Sequence, residues 1–436
     1  MSLPIVAIIG RPNVGKSTLF NRLLKKRLAV VDGRPGVTRD RNYSICNWNG
    51  KSFYLVDTGG LLPSTKNELE RQVKAQAESA IEEADFILFL IDNKVGAQDV
   101  DFEIAKKLKR INKKVFLIAN KVDNEKEELE TYSLKRLGLG DPYPVSATSG
   151  RNATELLDEI AKLIPETVRA EEEKGIKVAI VGRPNVGKST FINTLLGEEK
   201  LIVSEIPGTT RDSIDTGIKI GEDDFIFIDT AGLRKKTKII DDLEYYTSLR
   251  SLRSIQRADV CLLLTEAQEG MVNQDLKIAQ EAVEMWKGLV IGINKWDLIQ
   301  KETKTADQYT RWIKSYAPFL DFVPVIYISS KTGQRVEKTI ELVKEVYLEM
   351  KKRIETSELN QKMEPEIKRQ PPPSVKGKYV KLYYCTQTEV EPPTFVFFCN
   401  YPEHLKKPYL KFLQNKIREH FGFKGCPVKI KINKRE

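Results

Sequence analysis

Short, unbroken apolar runs alternate with helix-spaced ones along most of the chain, and the alternation happens twice. PIVAII (4–9), FYLV (53–56) and VFLIA (115–119) are answered by KVAIV (177–181), FIFI (225–228) and GLVIGI (288–293). Continuous runs of this length predict strands buried on both faces, as in a mostly parallel sheet covered by helices. TLFNRLLKK (18–26) and TFINTLLGE (190–198) carry apolar residues at helical spacing directly after a strand and a loop. A long helical stretch precedes Arg257, and another helical pattern runs from Glu337 to Ile354. The polar, charged PETVRAEEEKG (165–175) separates the two halves, and QPPPSVKG (370–377) breaks any helix. YVKLYYCTQT and EPPTFVFFCN read as strands, KPYLKFLQNKIREHF (407–421) as a helix, and CPVKIKIN (426–433) alternates as a strand. No run of about 18 apolar residues occurs, so no transmembrane helix is expected. The start has no basic region or cleavage site of a secretory leader.

The two halves share a nine-residue string. GRPNVGKST comprises Gly10, Arg11, Pro12, Asn13, Val14, Gly15, Lys16, Ser17 and Thr18. It recurs 172 residues later as Gly182, Arg183, Pro184, Asn185, Val186, Gly187, Lys188, Ser189 and Thr190. Between a strand and a helix, G-x-x-x-x-G-K-[ST] is a phosphate-binding loop. Its glycines let the backbone curl round phosphates, and the amides of the helix N-terminus face the anion. Lys16 and Lys188 are expected to reach the β- and γ-phosphates, and Ser17 and Ser189 to ligate Mg²⁺. One copy could arise by chance; two identical copies in the right context make a functionless origin remote.

Further landmarks keep the same offset. PGVTRD (35–40) answers PGTTRD (207–212), which offers Thr38 and Thr210 as second hydroxyls for Mg²⁺. Asp57, Thr58, Gly59 and Gly60 answer Asp229, Thr230, Ala231 and Gly232, each set after an apolar strand. Asp57 and Asp229 are expected to hold Mg²⁺ through water, and the amides of Gly60 and Gly232 to meet the γ-phosphate. An isolated D-x-x-G would be a turn; behind two phosphate loops it reads as part of a site. Charge stabilisation in hydrolysis is thus expected from Lys16, Thr38, Gly60, Lys188, Thr210 and Gly232.

Base choice follows from Asn120, Lys121, Val122 and Asp123, and from Asn294, Lys295, Trp296 and Asp297. In N-K-x-D the aspartate accepts two hydrogen bonds from guanine's N1–H and amino group. Adenine lacks that donor pair and would strand the carboxylate. The asparagines are expected to brace the loop, and the lysine stems to lie along the base. Ser146 and Ala147 would give amides to the base oxygen; Ser329 and Ser330 hold that place in the second half, where serine departs from the usual alanine.

Composition narrows the chemistry. The five cysteines are odd in number and never spaced as CxxC, which argues against zinc and disulfides and for a reducing cytoplasm. The two histidines, His404 and His420, exclude histidine-based catalysis from the first 400 residues. Met350–Glu436 holds 19 Lys+Arg and 9 Asp+Glu, so the last fifth carries the whole net charge of +10. Such a segment points to a polyanionic partner or to a solvated lysine-rich surface.

The five motifs in this order resemble those of the TRAFAC GTPases, and GRPNVGKST is the Era-like form. Two such domains and a small basic domain resemble the double-Era-like GTPases of bacteria over essentially the whole chain. The resemblance implies an α/β chain of two tandem P-loop GTPase domains and a small α+β KH-like domain. It gives GTPase domains at 1–165 and 176–352, a linker at 166–175 and the KH-like domain at 353–436. It implies GTP hydrolysis with Mg²⁺ in assembly of the large (50S) ribosomal subunit, with ribosomal RNA as partner, no membrane, and a cytoplasmic monomer. Passive RNA scaffolding and potassium-activated GTPases of tRNA modification or membrane transport are the rival readings. Leu61 and Leu233 stand where Ras-type enzymes have a water-orienting glutamine. In related K⁺-dependent GTPases an asparagine in the phosphate loop ligates potassium, which implies K⁺ at Asn13 and Asn185; the plain alternative is loop bracing. Arg39 and Arg211 are weaker candidates as arginine fingers, since each precedes an aspartate. LRKKTK (233–238) is either an anion-sensing segment or an exposed turn. GFKG (422–425) matches the KH G-x-x-G by letters, but it lies between a helix and the last strand and reads as a helix-ending turn.

Overall fold

The computed structural model describes residues 3–25, 43–58, 84–164, 175–197, 202–203, 215–230, 244–300, 304–374 and 379–435. These form two compact units, one of residues 1–171 with 239–250 and one of residues 172–238 with 251–436.

In the first unit, β1 (Ile5–Ile9) runs through the phosphate loop into helix α1 (Lys16–Lys25). Strands β2 (Tyr43–Trp48), β3 (Lys51–Asp57), β4 (Phe86–Asp92), β5 (Lys114–Asn120) and β6 (Tyr143–Val145) complete a sheet of order β2-β3-β1-β4-β5-β6. Only β2 runs antiparallel to its neighbour. Helices α2 (Asp99–Leu108) and α3 (Glu125–Glu130) connect the later strands, and α4 (Ala153–Leu163) follows β6. Every β1 residue is buried, as its unbroken apolar run requires. The chain leaves β1 towards β3 on one side and β4 on the other. The phosphate loop therefore sits at the carboxyl end of the sheet, at the switch in strand order where α/β sheets bind ligands.

The second unit repeats this plan. Its sheet, β13-β12-β11-β7-β10-β9-β8, comprises β7 (Ile176–Val181), β8 (Ile202–Val203), β9 (Thr216–Ile220), β10 (Asp223–Ile228), β11 (Val260–Glu266), β12 (Gly288–Asn294) and β13 (Val325–Tyr327). Helix α5 (Lys188–Leu196) follows the second phosphate loop, and α6 (Glu244–Arg257), α7 (Asn273–Glu284), α8 (Thr305–Tyr316) and α9 (Val336–Lys351) follow in order.

The C-terminal segment builds α10 (Thr356–Arg369), β14 (Leu382–Val390), β15 (Pro393–Cys399), α11 (Lys407–Phe421) and β16 (Lys429–Lys434). The expected helical run from Glu337 to Ile354 ends at Lys351, and a new helix begins at Thr356. The antiparallel β14–β15 pair and the parallel β15–β16 pair form a three-stranded sheet. Its inner face is not a separate core. Val346 and Met350 of α9 share one buried cluster with Phe395, Phe397, Phe421 and Phe423.

Candidate functional site

Three loops meet at the carboxyl end of each sheet, and one asparagine ties them together. In the first unit Asn120 Nδ2 donates to Val14 O at 2.7 Å, and Asn120 Oδ1 accepts from Ala147 N at 3.0 Å. In the second, Asn294 Nδ2 donates to Val186 O at 2.7 Å and Asn294 Oδ1 accepts from Ser330 N at 2.9 Å. The serine at 330 keeps the backbone bond that alanine makes at 147. These amides press on the phosphate loop: a Cβ on Gly15 would lie 2.3 Å from Asn120 Nδ2, and one on Gly187 2.2 Å from Asn294 Nδ2. With φ of +98° and +97°, only glycine fits there. Val122 and Trp296, both buried, anchor the guanine loops in the core. Trp296 packs 4.4 Å from Tyr327.

In the first unit these loops enclose a cavity of about 450 Å³ lined by Gly15, Thr18, Lys94, Asn120, Lys121, Asp123, Ala147, Thr148 and Ser149. Ser146 Oγ donates to Asp123 Oδ1 at 2.6 Å, and Lys94 Nζ lies 3.1 Å from Asp123 Oδ2. The serine bond first, and Lys94 after it, holds the Asp123 carboxyl below its ordinary pKa. Asp123 is thus a fixed anion presenting acceptors, as a guanine edge requires. Lys121 donates to Asp92 at 2.6 Å and Lys295 to Glu266 at 2.6 Å, so a carboxylate at the end of the neighbouring strand aims each lysine stem.

Lys16 is buried and donates to Gly10 O and Arg11 O, both at 2.8 Å. Lys188 makes the matching bonds to Gly182 O at 2.8 Å and Arg183 O at 2.6 Å. Burial pushes the Lys16 ammonium down to about 8, partly offset by the charge of Asp57. A cation so placed gains from a phosphate beside it. Ser17, Thr18 and Thr190 are exposed, and Ser189, Pro12 and Pro184 half-buried. Arg11 pairs with the fully buried Asp101 at 2.7 Å, and Arg183 with Asp275 at 3.1 Å. Each arginine therefore fastens its loop to a neighbouring helix. Asn13 and Asn185 are exposed in the left-handed region, both with φ of 64°, and neither side chain hydrogen-bonds to the described residues.

The two sites differ at the D-x-x-G aspartate. Asp57 ends β3 and is buried. Asp229 adopts φ of 60°, and its amide donates to Asp215 Oδ1 at 2.9 Å. Asp215 in turn pairs with Arg257. Thr58 Oγ1 donates to Ile8 O at 2.8 Å, whereas Thr230 and Thr216 share a hydroxyl bond of 2.5 Å. Thr38, Arg39, Gly59, Gly60, Leu61, Thr210, Arg211, Ala231, Gly232, Leu233 and the 233–238 segment lie outside the described residues.

Sequence reasoning missed Asp92, Lys94, Glu266, Asp101 and Asp275. The carboxylates that close the strands before each N-K-x-D were a usable signal. Lys94 was not, since Gln268 follows Glu266 where Lys94 follows Asp92.

A family model described as "50S ribosome-binding GTPase" matches residues 5–121 and 177–295. A second, "KH-domain-like of EngA bacterial GTPase enzymes, C-terminal", matches 353–433. The chain is similar to GTPase Der of Caldanaerobacter subterraneus subsp. tengcongensis, 50% identical over 436 residues that cover 100% of this chain and 99% of the relative. GTPase Der of Chloroherpeton thalassium is 45% identical over 99% of this chain and 100% of its own. Among solved structures, Era in complex with MgGDPNP and a segment of 16S ribosomal RNA is 26% identical, with a TM-score of 0.30 over 59% of this chain and 88% of its own. Half the residues shared with GTPase Der from end to end, with the same family model matching both halves of the chain, show its kinship: it belongs to the GTPase Der family and is a GTP hydrolase.

Proposed function

We infer that the chain is a GTP-driven switch in assembly of the large (50S) ribosomal subunit, binding the subunit or its RNA according to nucleotide state. The duplicated asparagine clamp carries this reading: two complete sets of guanine-reading and phosphate-holding groups favour an active switch over a passive scaffold. The description of the matching family model, a ribosome-binding GTPase, supports a ribosomal partner. On this reading the protein works in the cytoplasm as a monomer, with domains at 1–165, 176–352 and 353–436 joined by a linker at 166–175.

Each site residue keeps the role its chemistry suits. Asp123 and Asp297 read the guanine edge, with Ser146–Ala147 and Ser329–Ser330 at the base oxygen. Lys16 and Lys188 meet the phosphates together with the loop amides. Ser17 and Asp57 present hard oxygen donors beside Lys16, as Mg²⁺ demands, with Thr38 as a further ligand; Ser189, Asp229 and Thr210 are the second set. Bound Mg²⁺ neutralises charge on the phosphate oxygens. The amides of Gly60 and Gly232 complete the donor set at the γ-phosphate. Asn13 and Asn185 would hold K⁺, a role favoured over bracing by their exposed carboxamides, which bond to none of the described residues. In place of a glutamine, that cation supplies charge neutralisation to the phosphoryl group.

The test is co-sedimentation of the full chain with large ribosomal subunits in GTP, GDP and a non-hydrolysable analogue. Binding that depends on nucleotide is expected; equal binding in all three removes the switch. Replacing Na⁺ by K⁺ at equal ionic strength should raise turnover several-fold, about 1.4 kcal/mol for a tenfold gain. A gain that survives both Asn13→Ala and Asn185→Ala would leave the asparagines out of it.

A further inference from the structure

The C-terminal domain carries a G-x-x-G string that cannot clamp RNA. Gly425 N donates to Phe322 O at 2.8 Å, and Gly425 O accepts from Leu289 N at 2.9 Å. Phe423 is fully buried, and a Cβ on Gly425 would meet Val346 at 2.5 Å. The turn is spent on docking to the second GTPase domain. If this domain meets RNA, another surface must do so.

The β14-β15-β16 sheet offers one. Its inner residues Cys385, Phe395 and Phe397 face the core. On the opposite face Tyr384 and Phe398, paired in register, stack with centroids 4.4 Å apart and planes 12° from parallel. At the same end the Arg435 guanidinium lies 4.7 Å from the Tyr383 ring centre and the Lys381 ammonium 5.6 Å from it. Tyr379 is held at this corner by Asn400, which accepts from Lys381 N and donates to Tyr379 O. These tyrosines are exposed: Tyr379 by 80%, Tyr384 by 42% and Tyr383 by 39%. Among the described residues no carboxylate pairs with Lys381 or Arg435.

A cluster of exposed rings marks a surface that something covers, and the cations beside it favour an anionic occupant. An apolar protein surface would bury the two charges without a counter-charge. A paired duplex hides its base faces. A single strand offers both free base faces and phosphates. We propose that Tyr379, Tyr383, Tyr384 and Phe398, with Lys381 and Arg435, form a stacking platform for a single-stranded RNA segment. The platform deepens the ribosomal reading given above and rests on it.

The test uses the full chain, fluorescence anisotropy with a labelled 12-nucleotide single-stranded RNA and its duplex, and co-sedimentation with large subunits. Wild type should prefer the single strand. The Tyr383→Ala/Tyr384→Ala pair should weaken that binding at least about tenfold, while Tyr383→Phe/Tyr384→Phe retains it. Lys381→Gln and Arg435→Gln should each lower the slope of log affinity against log salt by about one. RNA-free GTP turnover should not change. A folded alanine pair that binds single-stranded RNA like wild type overturns the platform. So does loss of ribosome binding with free-RNA binding intact, which marks a protein-facing surface, and so does wild type that co-sediments yet binds no free strand. Failure of wild type itself to co-sediment sinks the ribosomal reading instead.

Discussion

At the residue scale, electrostatics decide how each cleft meets its nucleotide. In the free protein Lys16 loses its proton above about pH 8. A bound phosphate raises that pKa, so the protonated form is the one that binds. Affinity for GDP at the first site should therefore hold steady between pH 6 and 7. It should fall as pH rises through 8, by up to about tenfold per unit. Titration calorimetry on Lys188→Ala, which leaves only the first site, would read this; a flat profile to pH 9 would refute it. Lys94 gives a second prediction. It holds Asp123, the group proposed above to bond guanine, and the pair is exposed. Exposed pairs are weak, so Lys94→Ala should tighten GDP at the first site by no more than about threefold. A loss of affinity would mean that Lys94 touches the nucleotide directly. The second site has Gln268 at the matching place, and nucleotide binding there should not respond to Lys94→Ala.

At the element scale, the contact between the second GTPase domain and the C-terminal domain sets stability. Gly425→Ala would drive a methyl group against Val346 and the Leu289 carbonyl at a φ of +73°. Overpacking of this kind costs about 1–3 kcal/mol. Thermal unfolding of the second unit should show it, with nucleotide binding at the first site untouched. This contact also marks where the sequence stops being readable. The places of the phosphate loops, Asp57, Asn120 and Asp123 were legible because they depend on local backbone shape and on spacing along one strand. The strands and helices of the C-terminal segment were legible from their periodicity. The burial of Phe423 and Gly425 was not, because it depends on Val346 and Leu289, far away in the chain. By letters alone GFKG could have been a nucleic-acid clamp, and its place after a helix pointed only to a turn. The left-handed Asp229, which differs from Asp57 in an otherwise matching motif, was equally invisible, since Asp215 and Arg257 impose it from outside.

At the scale of the whole molecule, charge and cooperativity are divided unevenly. The net charge of +10 sits in the last fifth of the sequence, so binding to ribosomal RNA should weaken steeply with salt, while nucleotide binding should not. Lys16→Ala and Lys188→Ala should each leave one molar equivalent of bound nucleotide; two equivalents in either would refute two independent sites. Because α9 lends Val346 and Met350 to the cluster around Phe395 and Phe421, the second GTPase domain and the C-terminal domain should melt in one transition. The two backbone bonds at Gly425 extend this to time. The amides of Leu289 and Gly425 bond across the contact, one in each direction. Neither can exchange its hydrogen for deuterium while the domains stay docked. Their exchange rates, followed through rounds of GTP hydrolysis, clock how often the C-terminal domain lets go. If it rides the second GTPase domain through the whole cycle, both amides will outlast every turnover.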